Sequence, residues 1–285
     1  MIDLRELIDT VKATVHAHQL DGAGTYSRWL WQNSAKDRDL ALNPYGCADA
    51  ANIYYTIGQF PAVPTERAAW ISTLRAMQDP NSGLFTEPTH HPFHTTAHCT
   101  AALELFDARP LFAPHAMMSL LAKSTLEKFL DGLEWVHAPW QESHKGAGLY
   151  AALVLTGQTT SEWEDWYFAW LWNAADPITG FWRKDSVQAA DAKPLFHHLA
   201  GSFHYLFNHE YARRPLRYPE RMVDSCLDMY RQRLYPSLGH TMGFAEIDWV
   251  FCSNRALRQC GHRFAESKQA LRDFAAEYTD YLFSI

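Results

Sequence analysis

The chain has little that would mark it for nucleic acid, membrane or export. Its 25 basic residues are outnumbered by 32 acidic ones, for a formal net charge of −7, and basic residues never run longer than a pair such as Arg213-Arg214. A phosphate-backbone binder needs a basic stripe, so nucleic acid is not an expected partner. No apolar run approaches the roughly 20 residues of a membrane span. Met1-Ile-Asp-Leu-Arg-Glu-Leu7 reads as the start of an amphipathic helix rather than a leader, and a cytoplasmic protein is expected. The five cysteines, Cys47, Cys99, Cys226, Cys252 and Cys260, are odd in number and form no Cys-x-x-Cys pair. That argues against a disulfide framework and a zinc ribbon. A P-loop, a Gly-x-Gly-x-x-Gly fingerprint and a Gly-x-Ser-x-Gly elbow are missing, and strand-like alternation is nearly so.

What the chain does have is 47% hydrophobic against 20% charged residues, enough for a large core. It also has a repeat. Five apolar, small-residue-rich segments recur: Tyr45 to Tyr55, His94 to Leu105, His144 to Leu155, His197 to Phe207 and Glu246 to Leu257. Asp49, His98, Gly148, His198 and Asp248 mark them at separations of 49, 50, 50 and 50 residues. A period in that range signals a repeat architecture. Helices that are apolar on nearly every face belong inside. Between them lie segments with charges interleaved among apolar residues: Leu4 to Leu20, Thr65 to Met77, Ala113 to Leu133, Ser161 to Ala174, Pro219 to Leu234 and Phe264 to Phe283. These read as outer helices. No Gly/Ser/Pro linker divides the chain, so residues 1–285 are expected to form a single all-α domain, an α/α toroid (barrel) of about five to six helical hairpins with ~50-residue repeats.

The turns repeat as well. Gln78-Asp-Pro-Asn-Ser-Gly-Leu-Phe85 is echoed by Ala175-Asp-Pro-Ile-Thr-Gly-Phe-Trp182, 97 residues later. Pro stops the preceding helix, Gly takes the left-handed turn, and the aromatic pins the loop back. Gln78-x4-Gly83-x-Phe85, Asp176-x3-Gly180-x-Trp182 and Thr96-Ala97-x-x-Thr100-Ala-Ala-Leu103 resemble the turns and inner-helix starts of the α/α-toroid group that includes terpenoid cyclases and protein prenyltransferase β-subunits. Six-hairpin glycosidases, lyases and sugar epimerases carry similar turns. The resemblance implies a ring fold with a central cavity. The Asp-x-Asp-Asp and Asp-Asp-x-x-Asp motifs of the cyclases are missing, so hopene-type cyclisation is not implied; Asp248 and Cys252 stand four apart, but no arrangement here matches the zinc-ligand motif of the prenyltransferases.

Several inner-helix residues could carry chemistry. His94 and His98 are four apart on one helical face, a spacing that can chelate a divalent metal. They close the run Thr89-His-His-Pro-Phe-His-Thr-Thr-Ala-His98, with four histidines in ten residues; one or two of these are equally expected as caps bonded to the backbone. His197 matches His94 by its Phe-His context, whereas His198 matches His98 by strict spacing. Asp49, Glu246 and Asp248 are carboxylates in apolar helices, to be paired, protonated or metal-bound, with Arg255 a candidate structural partner of Asp248. Asp49, His98, His198 and Asp248 are therefore the candidate acid–base residues. His94, His98 and His197 are the candidate ligands of a divalent metal such as zinc, and Cys47, Cys99 and Cys252 lie close enough in sequence to join a mixed site. Tyr54, His144, Tyr150, Tyr205 and Trp249 are the candidate substrate-binding side chains. The reading that follows is an enzyme, a hydrolase or lyase, acting on a small polar substrate of the carbohydrate class. The alternatives are a terpenoid- or prenyl-handling enzyme, for which Lys145, Arg183 and Lys184 are the available cations, and a non-catalytic binding scaffold.

Overall fold

The computed structural model describes residues 3–234 and 243–283. Among these residues the fold is all-helical, with eleven α-helices, one 3-10 helix and no strand beyond three isolated antiparallel bridges. No helix among them is long and apolar enough to cross a membrane. The chain divides into two compact units. The first takes the chain up to Ser119 together with Gly148–Thr159; the second takes Leu120–Ala147 and the chain from Thr160 onward.

The first unit contains α1 (Arg5–Ala17), α2 (Pro44–Thr56), α3 (Pro64–Ala76) and α4 (Pro92–Leu105). Pro opens α2, α3 and α4 at their first position, where its fixed φ is already helical and its missing N–H would have had no partner. Asn43 caps α2, its Oδ1 accepting from Gly46 N at 3.0 Å. Helix α2 packs along α4, and α3 touches both. Their core holds Cys47, Ala51, Trp70, Phe85, Leu103 and Phe106. Helix α4 buries residues on every side, Thr95 to Ala97, Cys99, Thr100, Ala102 and Leu103, as an inner helix should.

The second unit contains α5 (Lys123–Asp131), the first half of α6 (Pro139–Leu155), α7 (Ser161–Ala174), α8 (Leu195–Tyr211), α9 (Pro219–Gln232), α10 (Phe244–Cys260) and α11 (Phe264–Leu282). Helix α10 packs on α8, α9 and α11, and α5 on α7. Helices α6 and α8 run side by side and parallel. A Cβ on Gly201 would stand 2.8 Å from Pro139 O, and two turns further Asn208 Nδ2 donates to Ala147 O at 3.2 Å. Helix α7 is tied to this pair by Tyr167, whose hydroxyl donates to Gly146 O at 3.1 Å and accepts from Asn208 Nδ2 at 2.9 Å.

The two echoed turns have one geometry. Asp79 N donates to Leu84 O and Gly83 N to Asp79 O; in the second turn Asp176 N donates to Phe181 O and Gly180 N to Asp176 O. Each aromatic then donates its backbone N–H to a hydroxyl on the next inner helix: Phe85 N to Thr96 Oγ1 and Trp182 N to Ser202 Oγ, both at 3.0 Å. Thr96 is thus the counterpart of Ser202; the loop before α8 is longer than the one before α4, and the hydroxyl lies further into its helix.

The expected helix Ala113 to Leu133 is instead a 3-10 helix, His115–Leu121, followed by α5. The cause is the first turn. Gln78 Oε1 accepts from Phe112 N at 3.0 Å, Gln78 Nε2 donates to Phe112 O at 2.8 Å, and Ser82 O takes the N–H of Ala116. Backbone groups engaged in that docking are withdrawn from an α-helical ladder.

Candidate functional site

In the first unit, α2 and α4 place a histidine cluster around Tyr45. The Tyr45 ring stacks on His90 with centroids 4.2 Å apart and on His94 at 5.8 Å, and it packs at a tilt against His98 at 4.3 Å. The Arg28 guanidinium carbon lies 4.5 Å from the same ring centre, a cation–π contact. Two of the imidazoles are bonded to carboxylates. His98 Nε2 donates to Asp49 Oδ1 at 2.8 Å, and His90 Nδ1 donates to Glu87 Oε1 at 2.7 Å. The pairs differ in exposure. The His98 and Asp49 side chains are 23% and 45% exposed, whereas the Glu87 side chain is 1% exposed. Burial works against ionisation of Glu87, but the hydrogen bonds from His90 and from the Thr89 backbone and hydroxyl outweigh it and hold the carboxyl down at about 2. His91 caps α4, its ring accepting from Phe93 N at 3.2 Å. One histidine of the run is therefore a cap, one is held by a buried carboxylate, and His94 and His98 stand on the helix.

Asp49 faces a cleft of about 230 Å³, which it shares with Arg28, Ser27, His18 and the apolar Val15 and Ile53. Nε and Nη1 of Arg28 are buried without a hydrogen-bond partner among the described residues. A buried N–H left unsatisfied is costly, so this cation is suited to an acceptor brought in by a ligand.

In the second unit, His144 on α6 and His204 on α8 meet edge to face with ring centroids 4.4 Å apart. A ligand nitrogen of each lies within 4.8 Å of the other, close enough for both to hold one metal ion. His204 Nδ1 is 2.8 Å from Ser143 Oγ. The turn geometry that pairs Thr96 with Ser202 also makes His204, two residues on, the counterpart of His98. Neither His197 nor His198 holds that place, because both lie at the start of α8, five and four residues before Ser202. His198 is fully buried with Nδ1 on Trp182 O at 3.3 Å, and burial lowers its pKa. His197 packs on Phe196 in the first turn of α8. Neither His98 nor His197 belongs to a group of three convergent ligand atoms among the described residues.

The remaining candidates lie mostly in the cores. Tyr205 stacks on Trp135 at 5.5 Å, and Trp249 stacks on Tyr230 at 5.3 Å while donating Nε1–H to Cys226 O at 2.8 Å. Tyr150 is buried, and Tyr54 sets its edge against Trp70. Asp248 on α10 is 3% exposed, and burial with the neighbouring Glu246 pushes its carboxyl to about 8, so it is protonated at neutral pH. Arg255 does not pair with it; Arg255 Nε lies 3.3 Å from Glu210 Oε2. Glu246 accepts from Gly243 N at 2.9 Å and caps α10. The inner-helix cysteines are taken up by the backbone rather than by a mixed metal site: Cys47 donates to Tyr26 O, Cys99 to Pro44 O and Cys252 to Leu199 O, and burial raises all three thiols.

No protein-family model, curated protein or solved structure matches the chain. Arg28, Tyr45, Glu87, Ser143 and His204 are the members that sequence reasoning did not single out, and His90 entered it only as part of the four-histidine run. For His204 a signal existed: Thr96-Ala-His98 and Ser202-Phe-His204 share a hydroxyl two residues before the histidine. For Arg28 there was none, since it lies in an irregular segment outside the repeat.

Proposed function

We propose that the protein is an enzyme, a hydrolase or lyase, that acts on a small polar substrate of the carbohydrate class by histidine–carboxylate acid–base chemistry, with His98 and Asp49 as the working pair. The observation that carries this reading is the 2.8 Å bond from His98 Nε2 to Asp49 Oδ1, made by two partly exposed side chains, one of them on a cleft that also holds Arg28. Asp49 fixes the Nε2–H tautomer, which makes Nδ1 the basic nitrogen, and it stabilises the imidazolium that forms when Nδ1 takes a proton. Arg28 would neutralise a substrate carboxylate, which favours an acidic sugar over a neutral one.

The α/α toroid belongs to the same proposal. It is supported by the parallel run of α6 and α8 and by the hydroxyl-anchored Gly-x-aromatic turn found in each unit. A cytoplasmic setting is proposed with it, on the strength of five free cysteines. The prenyl alternative has less to stand on, because a diphosphate needs several uncommitted cations and two of Lys145, Arg183 and Lys184 are engaged. Lys145 is ion-paired with Glu142, and Arg183 donates to Asp131 O at 3.0 Å.

Saturation-transfer NMR with hexuronates, neutral hexoses and isoprenyl diphosphates tests the reading. Hexuronate signals that vanish in Asp49→Asn and Arg28→Gln are expected. Binding of isoprenyl diphosphates alone would move the chain to the prenyl class, and no binding by a folded protein would favour the scaffold.

A further inference from the structure

We propose that His144 and His204 chelate a divalent transition-metal ion, zinc being the natural probe, in the second unit. The hydrogen-bond arithmetic around Ser143 carries the argument. Ser143 has one hydroxyl proton, and it is directed to Trp140 O at 2.7 Å. Toward His204 Nδ1, 2.8 Å away, Ser143 Oγ must therefore act as acceptor. That assigns the proton of the neutral His204 ring to Nδ1 and makes Nε2 its lone-pair nitrogen. A hydrogen bond on the far nitrogen is how proteins orient an imidazole for a metal and raise its basicity.

The second ligand is held as firmly. His144 is 6% exposed, and its ring meets both His204 and Trp140, the latter at 5.0 Å between centroids. Helices α6 and α8 bring the two histidines together because Gly201 lets Pro139 O approach to a distance that any side chain there would block. Two imidazoles with ligand atoms within 4.8 Å of each other need only small rotations to reach the ~2.0–2.1 Å bonds that zinc makes to nitrogen. A metal on this pair keeps further coordination positions for water, substrate or other donors, which is the character of a reactive site rather than a closed structural one.

The test is calorimetric titration of zinc chloride into the metal-free full chain. About one zinc per chain is expected, with Ser143→Ala weakening the affinity by roughly 10–100-fold as its orienting hydrogen bond is lost. His204→Gln should reduce binding further, and cobalt(II) bound to the wild type should show ligand-field bands that this variant lacks. Circular dichroism establishes that each variant is folded. Should His204→Gln fail to fold, Ser143→Ala decides alone. Failure of the wild type to bind zinc at 100-fold molar excess, or an affinity unchanged in Ser143→Ala, would overturn the assignment.

Discussion

Asp49 and Gly83 show how differently two single residues bear on function and on fold. Asp49 is half-exposed and bonded to one partner, and a pair of that kind adds no more than about 1 kcal/mol to stability. Asp49→Asn should therefore unfold within about 1 kcal/mol of the wild type in urea while losing the ligand signals attributed to the His98 pair. Gly83 is the converse. Its φ is +72°, and a Cβ there would stand 1.8 Å from Ala113 O, a backbone atom that cannot swing aside. Gly180, at φ +78°, would meet Met222 N at 2.5 Å. With about 1–2 kcal/mol for a left-handed non-glycine residue and 1–3 kcal/mol for overpacking, Gly83→Ala and Gly180→Ala should each cost about 2–5 kcal/mol. Urea unfolding midpoints give the comparison directly. A loss below 1 kcal/mol at both glycines would mean that the turns are not fixed by these contacts.

At the scale of elements, the hydroxyl anchors make the repeat a physical device and not only a pattern. Thr96 Oγ1 accepts Phe85 N, and Ser202 Oγ accepts Trp182 N while donating to His198 O at 2.7 Å. Removing either hydroxyl strands a buried N–H, at about 1–3 kcal/mol. Thr96→Val and Ser202→Ala should show that loss in denaturant unfolding, whereas Ser202→Thr should keep most of the stability. The helices themselves were legible because their apolar spacing is strong: Ser161 to Ala174 matches α7 to the residue, and the other outer helices but one agree to within three residues at either end. The exception, Ala113 to Leu133, breaks where Gln78 and Ser82 engage its backbone from 30 or more residues away, an interaction that local periodicity does not contain. Register was harder than existence. Counting at fifty residues led to His198, but the longer loop before α8 moves the matching histidine to His204. Which polar groups share a site was least legible. Arg28 and Glu87 come to Tyr45 from loops, and no spacing rule governs loops.

For the molecule in solution, the shifted groups of the second unit make stability depend on pH in a way that their signs fix. His209 on α8 is buried against Trp182 and Phe168, and burial lowers its pKa to about 4. The unfolded chain binds a proton there below the ordinary histidine value, so this contribution is present above about pH 6.5 and is lost as pH falls toward 4. Asp248 on the adjoining α10 is raised to about 8, so the native state keeps a proton that the unfolded chain releases. Its contribution is whole below about pH 4 and is lost as pH rises toward 8. Between about pH 4 and 6.5 these two slopes oppose each other, while His198 and His197, whose pKa burial also lowers, add to the rise with pH. Above 6.5 only Asp248 acts, and one proton over 1.5 pH units amounts to about 2 kcal/mol. Urea unfolding of the wild type followed from pH 4 to 8 should thus show no fall up to about 6.5 and a decline above it, and Asp248→Asn should remove the decline and steepen the rise below 6.5, where the buried histidines then act unopposed. The first unit has its own acid limb in Glu87, whose carboxylate is held near 2: Glu87→Gln should be destabilising at pH 7, with the gap to wild type closing as pH falls from about 4.5 toward 2. An alkaline decline that persists unchanged in Asp248→Asn would show that Asp248 is not its source, and would turn attention to the buried thiols of Cys226 and Cys252, which burial also raises.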